Sequence, residues 1–451
     1  MSPMQSDATA KGAAPAAEVP GTPDHVHIGI IDADGSFRHK KVAGKKAGKM
    51  AHDGSVFCDV LYQWSTAEEP QASGAFIDRP TVIDPDSWRR YPFANNDALC
   101  IADFAAPFGD RSPRFQAKRM IERARDAGFS VHSAFEFEFM VLNETPDSLR
   151  AKDYGDLTHF SPGNRTYSLQ TTALQHDLLD EFEAMMTQLG ITLDAVHTEL
   201  GPGCFEAPLT HAEGIKAADD AMLFKNFAKA FFLRRGLMAT FMAKLDPKFS
   251  GQSGHLHLSL RSLADGSPVF SDPSAPDGLS QTAHHFIGGI VTLMPEMLAL
   301  CSPTVNSYKR LVPGAWAPTY ASWGVQNRTT ALRVINDTPD ACRLEFRVPA
   351  ADTNPYAALA MFIGAGLWGV ENKIAPPARE DGDCYAKPPA DGMQFPATLS
   401  EAATRLDHST AARAIFGDTF IDTYVQMRRY EVAAYEAHVS PWEIRRYMEV
   451  V

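Results

Sequence analysis

Three segments of the chain alternate polar and apolar residues strictly, and this pattern constrains the fold more than any other feature of the sequence. Residues 133–139 read SAFEFEF, residues 254–261 read GHLHLSLR, and residues 343–347 read RLEFR. Successive side chains of a β-strand point to opposite faces. Each segment therefore places charged or polar side chains on one face and Phe or Leu on the other, which predicts a sheet with an apolar core face and a highly polar second face.

The polar face of these strands is rich in the ligands that hard divalent cations prefer. Residues 197–206 (HTELGPGCFE) add two carboxylates around a Gly-Pro-Gly turn. The candidate ligands are five carboxylates and one imidazole: Glu136, Glu138, Glu199, Glu206, Glu345 and His255. Oxygen donors of this kind favour Mg²⁺ or Mn²⁺, whereas Zn²⁺ would favour more His or Cys.

Arginines cluster around the third alternating segment. Five of them fall within 38 residues: Arg310, Arg328, Arg333, Arg343 and Arg347. Metal ions and guanidiniums together neutralise the charge of a transferring phosphoryl group. The sequence therefore favours phosphoryl-transfer chemistry.

Composition and charge exclude several classes of protein. The chain has 451 residues and a formal net charge of −13, from 42 Lys+Arg against 55 Asp+Glu. Non-specific binding to nucleic acid depends on Lys and Arg that neutralise phosphates, so we expect no nucleic-acid partner. The most apolar stretches, residues 286–301 and 357–370, are shorter than the roughly 20 residues that span a bilayer. We therefore expect them to be core helices and expect no membrane partner.

Cysteine usage indicates the cellular setting. The six cysteines, Cys58, Cys100, Cys204, Cys301, Cys342 and Cys384, form no C-x-x-C pair. This spacing indicates neither a disulfide framework nor a structural zinc module. The first residues also lack the basic start and apolar block of a signal peptide, so we expect a cytoplasmic protein.

The order of local patterns predicts the division of the chain. Residues 1–24 are rich in Ala, Pro and Gly and predict a flexible tail, and residues 27–42 predict a β-hairpin around a D-A-D-G turn. Beyond this β-rich part, strands and helices alternate. Helical spacing predicts helices over residues 114–128, 171–189, 211–235, 282–300, 355–371 and 417–436.

The chain resembles the type I glutamine synthetase superfamily along nearly its whole length. The motifs that carry the resemblance are ExE at 136–138, ExxxGxxE at 199–206, SGHxHxS at 253–259, NSYKRLVPG at 306–314, NR at 327–328, RLEFR at 343–347 and NPY at 354–356. The resemblance implies an α+β fold of the glutamine synthetase type. We expect an N-terminal β-grasp domain (25–110) and a large catalytic α/β domain (111–451) with a curved antiparallel sheet, a half-barrel, and flanking helices.

The resemblance also implies roles for individual residues. One metal ion would be held by Glu138, Glu199 and Glu206, and a second by Glu136, His255 and Glu345, with two or three ions of Mg²⁺ or Mn²⁺ in each site. His257 and Ser259 would contact ATP, and Arg328, Arg333 and Arg343 would face its phosphates. Arg310 and Arg347 would bind the carboxylates of L-glutamate. The implied assembly is a dodecamer of two hexameric rings, in which Asp59 of a neighbouring subunit completes the site as the base that deprotonates the amine.

One departure from the family pattern bears on the substrate. Ammonia-using members continue the NSYKR motif as Pro-Gly-Tyr-Glu, whereas this chain reads Pro313-Gly314-Ala315-Trp316. An aromatic ring attracts a cation and tolerates a methyl group, so Trp316 indicates a small primary amine, first of all methylamine. In this respect the chain resembles γ-glutamylmethylamide synthetases.

Several alternatives stay open at the level of sequence. The amine could be ammonia, as in glutamine synthetase proper, or ethanolamine or a polyamine. Trp316 could also only pack its loop, and the contacts of glutamate near Gly251 and Gln252 are undetermined. An inactive scaffold or nitrogen sensor would be expected to have lost metal carboxylates, and all five are present. The context of Tyr385 differs from that of the tyrosine that some family members adenylylate, so we expect no such regulation.

Overall fold

The structure is a computed structural model that describes residues 21–161, 163, 165–386 and 388–451. Residues 1–20 of the predicted flexible tail lie outside the described residues. All six cysteines are free thiols.

The first part of the described chain forms a six-stranded sheet. Its strands are β1 (His25–Ile31), β2 (Phe37–Ala43), β3 (Ser55–Cys58), β4 (Asp78–Ile83), β5 (Arg89–Arg90) and β6 (Asp97–Phe104), with α1 (Ala47–Asp53) between β2 and β3. The strand order is β2-β1-β6-β4-β3, and β5 pairs with β6. Ile31 and Phe37 are partners in the antiparallel β1–β2 pair, so the predicted hairpin is confirmed.

A nine-stranded sheet dominates the rest of the described chain. Its strands are β7 (Phe129–Leu142), β8 (His197–Thr198), β9 (Cys204–Pro208), β10 (Ala212–Glu213), β11 (Met238–Thr240), β12 (Gly254–Ser262), β13 (Trp323–Val325), β14 (Leu332–Ile335) and β15 (Arg343–Phe346). The order is β13-β14-β15-β12-β7-β9-β8, with β10 and β11 on β7. The three alternating segments are thus the neighbouring strands β15, β12 and β7. The predicted α+β fold, with helices around a curled and largely antiparallel sheet, is confirmed.

Helices precede, separate and follow the strands of this larger sheet. They are α2 (Pro113–Asp126), α3 (Pro146–Ala151), α4 (Leu169–Leu174), α5 (His176–Gln188), α6 (Lys216–Leu233), α7 (Gln281–Met297), α8 (Pro355–Glu371), α9 (Leu399–His408), α10 (Thr410–Phe416), α11 (Asp418–Glu436) and α12 (Pro441–Tyr447). The helix predicted over 355–371 is α8 itself, which begins at an Asn354 cap followed by Pro355.

Two predicted helices were wrong in extent. The helix predicted over 171–189 is divided into α4 and α5 at Gln175. The helix predicted from residue 211 begins at Lys216, because Ala212 and Glu213 pair with β7 as a short strand. A local pattern does not show that the edge of β7 is available for pairing, so these residues looked helical in the sequence.

The apolar helices α7 and α8 pack closely against each other inside the protein. A Cβ atom on Gly289 of α7 would lie 2.2 Å from the carbonyl oxygen of Ala365 and 2.6 Å from Gly369 of α8, so glycine permits this approach. In the described part of the chain, residues Gln281–Leu300 alone are long and apolar enough to cross a membrane by length and composition, and 78% of their most apolar window is buried in the protein. This segment is a core helix, as the sequence predicts.

Candidate active site

A cleft of about 340 Å³ opens over the polar face of β7, β12 and β15. The register of the strands explains why these polar side chains meet. His255 of β12 lies opposite Glu136 of β7, and His257 lies opposite Glu345 of β15. The phenylalanines that alternate with the carboxylates, such as Phe135 and Phe137, are fully buried on the other face. Because polar and apolar residues alternate along each strand, the polar side chains of the site lie directly above the apolar core.

Most residues that the sequence singled out line this one cleft. They are Glu136, Glu138, Glu199, Glu206, His255, His257, Arg310, Trp316, Arg328, Arg333, Arg343, Glu345 and Arg347. Ser259 lines an adjoining cavity of about 330 Å³ whose walls share Glu136, His257 and Arg343 with the cleft. The roles assigned to these residues stay predictions, but the fold brings them together.

One group of potential metal ligands lies at the meeting point of the three strands. Oxygen and nitrogen atoms of Glu136, His257 and Glu345 lie within 4.8 Å of one another, and His257 Nε2 is 3.0 Å from Glu136 Oε1. His255 Nδ1 is 3.7 Å from an oxygen of Glu136 and 3.7 Å from an oxygen of Glu345. Both imidazoles therefore adjoin these carboxylates, although the resemblance assigned His257 to the nucleotide.

A second group lies on β8, directly after β8 and on β9. His197, Glu199 and Glu206 approach one another within 4.8 Å, and His197 Nε2 is 3.2 Å from Glu206 Oε1. Glu138 is the cross-strand partner of Glu206. Sequence reasoning gave His197 no role, although it lies only two residues before Glu199 in the same segment.

The charge states of the carboxylates differ because their neighbours differ. Burial raises the pKa of Glu138 to about 7, and the nearby charge of Glu206 acts in the same direction. For Glu345, burial favours the neutral form, but the charges of Arg347 and His255 outweigh it and lower the pKa to about 2. Hydrogen bonds with Glu199 and Glu206 raise the pKa of His197 to about 9.

This donor set fits divalent metal ions. The repulsion between Glu138 and Glu206 is the kind of charge conflict that a bound cation relieves. In addition, His255 Nε2 is buried and has no hydrogen-bond partner among the described residues. Two clusters of carboxylates with an imidazole each are typical of sites for hard or borderline cations.

The arginines surround the carboxylates at different depths. Arg333 donates to Glu345 Oε2 at 2.8 Å, and Arg347 donates to Glu345 Oε1. Arg310 is only 2% exposed and donates to the carbonyl oxygens of Val348 at 2.9 Å and Arg347 at 3.2 Å. Fixed guanidiniums of this kind are suited to bidentate binding of carboxylates and phosphates.

Two exposed aromatic residues lie on the walls of the cleft. Trp316 is 57% exposed, and its φ of 56° is uncommon for a bulky residue. Tyr167 also has a positive φ, 51°, and its ring centre is 4.9 Å from that of His197. Sequence reasoning missed Tyr167, because it lies in a loop whose polar composition does not distinguish it.

Asp59 does not reach the cleft of its own chain. Its carboxylate accepts a hydrogen bond from Arg79 Nε at 3.1 Å, and it lines a separate cavity of about 280 Å³. Within the described residues, the lining of the main cleft begins only at Glu136. The six-stranded sheet therefore supplies no wall of the cleft in the same chain.

Comparison with known proteins agrees with this site. Residues 110–447 match the catalytic domain of glutamine synthetase. The chain belongs to the glutamine synthetase family. The predicted membership and the predicted ATP-dependent ligase of the glutamine synthetase type are thereby confirmed, and enzymes of this family use ATP and divalent metal ions.

Several family members are similar over almost their whole length. A glutamate–isopropylamine ligase from a Pseudomonas species is 34% identical, with 95% of each chain aligned. The γ-glutamylethanolamide synthetase GlnA4 from Streptomyces coelicolor is 35% identical over 95% of this chain and 93% of its own. Among solved structures, a GmaS/ADP complex aligns with a TM-score of 0.84 and 28% identity over 95% of this chain and 97% of its own.

Proposed function

We propose that the protein joins the γ-carboxylate of L-glutamate to a small primary amine, with methylamine as the preferred amine. ATP would supply the energy, γ-glutamyl phosphate would be the intermediate, and γ-glutamylmethylamide, ADP and phosphate would be the products. The observation that carries the choice of amine is Trp316, whose exposed ring lines the cleft where ammonia-using relatives place a glutamate. An aromatic face attracts an alkylammonium ion while leaving room for its methyl group.

The reaction takes two steps at the cleft. A γ-carboxylate oxygen of glutamate attacks the γ-phosphorus of ATP, and the bond to ADP breaks. The amine nitrogen then attacks the carbonyl carbon of the acyl phosphate, and phosphate leaves. In this proposal Arg310 and Arg347 hold the carboxylates of glutamate, and Arg328, Arg333 and Arg343 neutralise the phosphoryl oxygens.

Mg²⁺ or Mn²⁺ would be held by two sets of ligands in the cleft and would add to the neutralisation of the phosphates when bound. Glu138, Glu199 and Glu206 would hold one ion. Glu136, His255 and Glu345 would hold the other. Because His257 also lies 3.0 Å from Glu136, its imidazole is available both to that ion and, with Ser259, to the nucleotide.

The amine must lose a proton before it attacks, since an alkylammonium ion has a pKa of about 10. We assign this step to Asp59 of a neighbouring copy of the chain, because Asp59 does not line the cleft of its own chain. Exposed apolar residues of the C-terminal segment, including Trp442, Met448 and Val450, support an assembly of several copies. We propose the dodecamer of the family and a cytoplasmic location.

A larger amine is the second candidate substrate. Relatives that share 34% and 35% of their residues with this chain are named for isopropylamine and ethanolamine. An apolar pocket discriminates between two substrates that differ by one methyl group only about 10- to 200-fold. The preference among alkylamines must therefore be measured.

Phosphate release in the presence of glutamate and ATP tests this proposal. The amines to compare are ammonium, methylamine, ethylamine, isopropylamine, ethanolamine and putrescine. We expect methylamine to have the highest kcat/KM, and a higher value for ammonium would contradict the role of Trp316. The variant Trp316→Glu should shift the preference toward ammonium, whereas Tyr154→Phe, which alters an exposed aromatic residue that does not line the cleft, should leave the order of amines unchanged.

A further inference from the structure

A carboxylate in the turn between β15 and α8 takes no part in the proposed chemistry. Asp352 Oδ2 accepts hydrogen bonds from Thr304 Oγ1 at 2.7 Å and from Ser307 Oγ at 2.8 Å. Its other oxygen, Oδ1, is buried and has no hydrogen-bond partner among the described residues. Burial raises the pKa of Asp352, so a charge here is costly. A costly, incompletely bonded group of this kind requires an explanation.

The two hydroxyls that bind Asp352 form a closed turn just before Arg310. The backbone N–H of Thr304 donates to Ser307 Oγ at 3.1 Å, and that of Ser307 donates to Thr304 Oγ1 at 3.1 Å. A short 3₁₀ helix, Ser307–Lys309, starts at this turn, and Arg310 follows it directly. Asp352 therefore binds the base of the segment that presents Arg310 to the cleft.

The guanidinium of Arg310 is bound to the same stretch of chain as Asp352. It donates to the carbonyl oxygens of Arg347 and Val348, a few residues before Asp352. The turn that contains Asp352 is also held by Lys225, whose Nζ is buried and donates to the carbonyl oxygen of Thr353 at 2.6 Å. The segment that accepts hydrogen bonds from Arg310 thus leads directly into the turn that contains Asp352.

Charge connects Asp352 to Arg310 as well. Burial lowers the pKa of Arg310 to about 10, and the positive charge of Arg347 acts in the same direction. Negative charge on Glu138 and Asp352 opposes both effects. Of these two carboxylates, Glu138 is assigned to a metal ion, which leaves Asp352 as a counter-charge that metal binding does not remove.

We propose that Asp352 is a positioning residue for glutamate binding, which fixes the Thr304–Ser307 turn and supplies a counter-charge to Arg310. The inference rests on the proposed function in one respect, that Arg310 binds glutamate. Asp352 itself is not among the residues that line the cleft. Its loss should therefore weaken the binding of glutamate and spare the binding of ATP.

The variant Asp352→Asn keeps the shape of the side chain and removes its charge. We expect the KM for glutamate to rise about tenfold, while the KM for ATP and kcat at saturating glutamate stay within about twofold of wild type. Ser307→Ala, which removes one of the two hydrogen bonds, should change the same constant less. Asp407→Asn is the matched control, because Asp407 also accepts two bonds, from Arg413 and Arg429, and does not line the cleft.

Arg310→Lys distinguishes failure of this inference from failure of the proposed function. If Arg310→Lys raises the KM for glutamate and Asp352→Asn does not, the positioning role is wrong and the role of Arg310 stands. If neither variant changes it, both assignments fall. If folded Asp352→Asn has a lower kcat and also higher KM values for both glutamate and ATP, the role of Asp352 is a general structural one and the inference is overturned. Should Asp352→Asn not fold, Ser307→Ala and Thr304→Val decide the question by the same comparison.

The double variant Arg310→Met/Asp352→Asn, compared with Arg310→Met, gives a further test, because Arg310→Met removes the charge and the hydrogen bonds through which Asp352 is proposed to act. If Asp352 acts through Arg310, the double variant should have the same KM for glutamate as Arg310→Met alone. A KM equal to the product of the two single effects would show that Asp352 acts independently of Arg310, and the inference would be wrong.

Discussion

Arg114 connects the six-stranded sheet to helix α6, and its replacement by Met should cost a large part of the stability of the protein. Arg114 lies on α2 and is 1% exposed. It donates to Asp84 and Asp103 at the six-stranded sheet and, at 2.8 Å through two nitrogen atoms, to both carboxylate oxygens of Asp219 on α6. Removing it would leave three carboxylates facing one another with their principal partner gone.

The size of the effect follows from these contacts. Burial favours the neutral form of Asp84, but the charges of Arg114 and Lys118 outweigh it and lower its pKa from 3.8 to about 2. This lowering of the Asp84 pKa contributes about 2 kcal/mol of stability at neutral pH, and the contribution is lost as the pH falls from about 4 to about 2. Arg114→Met also removes the hydrogen bonds that Arg114 donates to Asp103 and Asp219. Because breaking a buried ion pair by removing one partner costs about 3–5 kcal/mol, we expect a loss of this size in the free energy of unfolding.

Lys118→Met is the matched control for this measurement. Lys118 also contacts Asp84 and Asp103, at 3.0 Å and 3.5 Å, but its side chain is 41% exposed. Because water screens an exposed pair, its removal should cost less than about 1 kcal/mol. Urea unfolding at pH 7 and equal protomer concentration, followed by circular dichroism, measures both values. Equal losses in the two variants, or a loss below about 1 kcal/mol for Arg114→Met, would refute this reasoning.

Two further predictions concern the site. Glu345→Ala and Asp59→Asn should each lose most of the phosphate release. Mixed oligomers of the two variants should regain part of it, because an unaltered Asp59 and an unaltered Glu345 can then meet at one interface between subunits. No recovery in mixed oligomers would contradict the shared site. His197, with its pKa raised to about 9, should stabilise the metal-free enzyme fully below about pH 6.5 and lose that contribution as the pH rises to about 9. Urea unfolding in a chelator should show this loss in wild type and not in His197→Gln, and an identical loss in both would exclude His197 as its source.

The sequence and the structure agree best where a pattern depends only on neighbouring residues. The alternation around Glu136, His255 and Glu345 identified side chains that share one face, since the two-residue period of a strand holds wherever the strand lies. The helix over 355–371 was equally accessible, because its Asn354 cap and Pro355 are local signals. The hairpin at 27–42 likewise needed only its turn residues.

Contacts between distant residues required the structure. The pairing of β8 and β9 brings His197 to Glu206, and a polar loop places Tyr167 beside His197. The hydrogen bonds of Asp352 join residues 45 and 48 positions apart in the chain. No period in the sequence encodes such distances, because strand order and the packing of loops depend on the whole chain.

By itself, therefore, the sequence determined the chemistry of the site: carboxylates, imidazoles and arginines on one face of a sheet, above an apolar core. The tertiary structure alone decided which of these residues meet. It set His257 beside Glu136, kept Asp59 out of the cleft of its own chain and placed the charge of Asp352 behind Arg310. Residue type and local period are properties of a segment, whereas distance and burial arise only when all segments pack together.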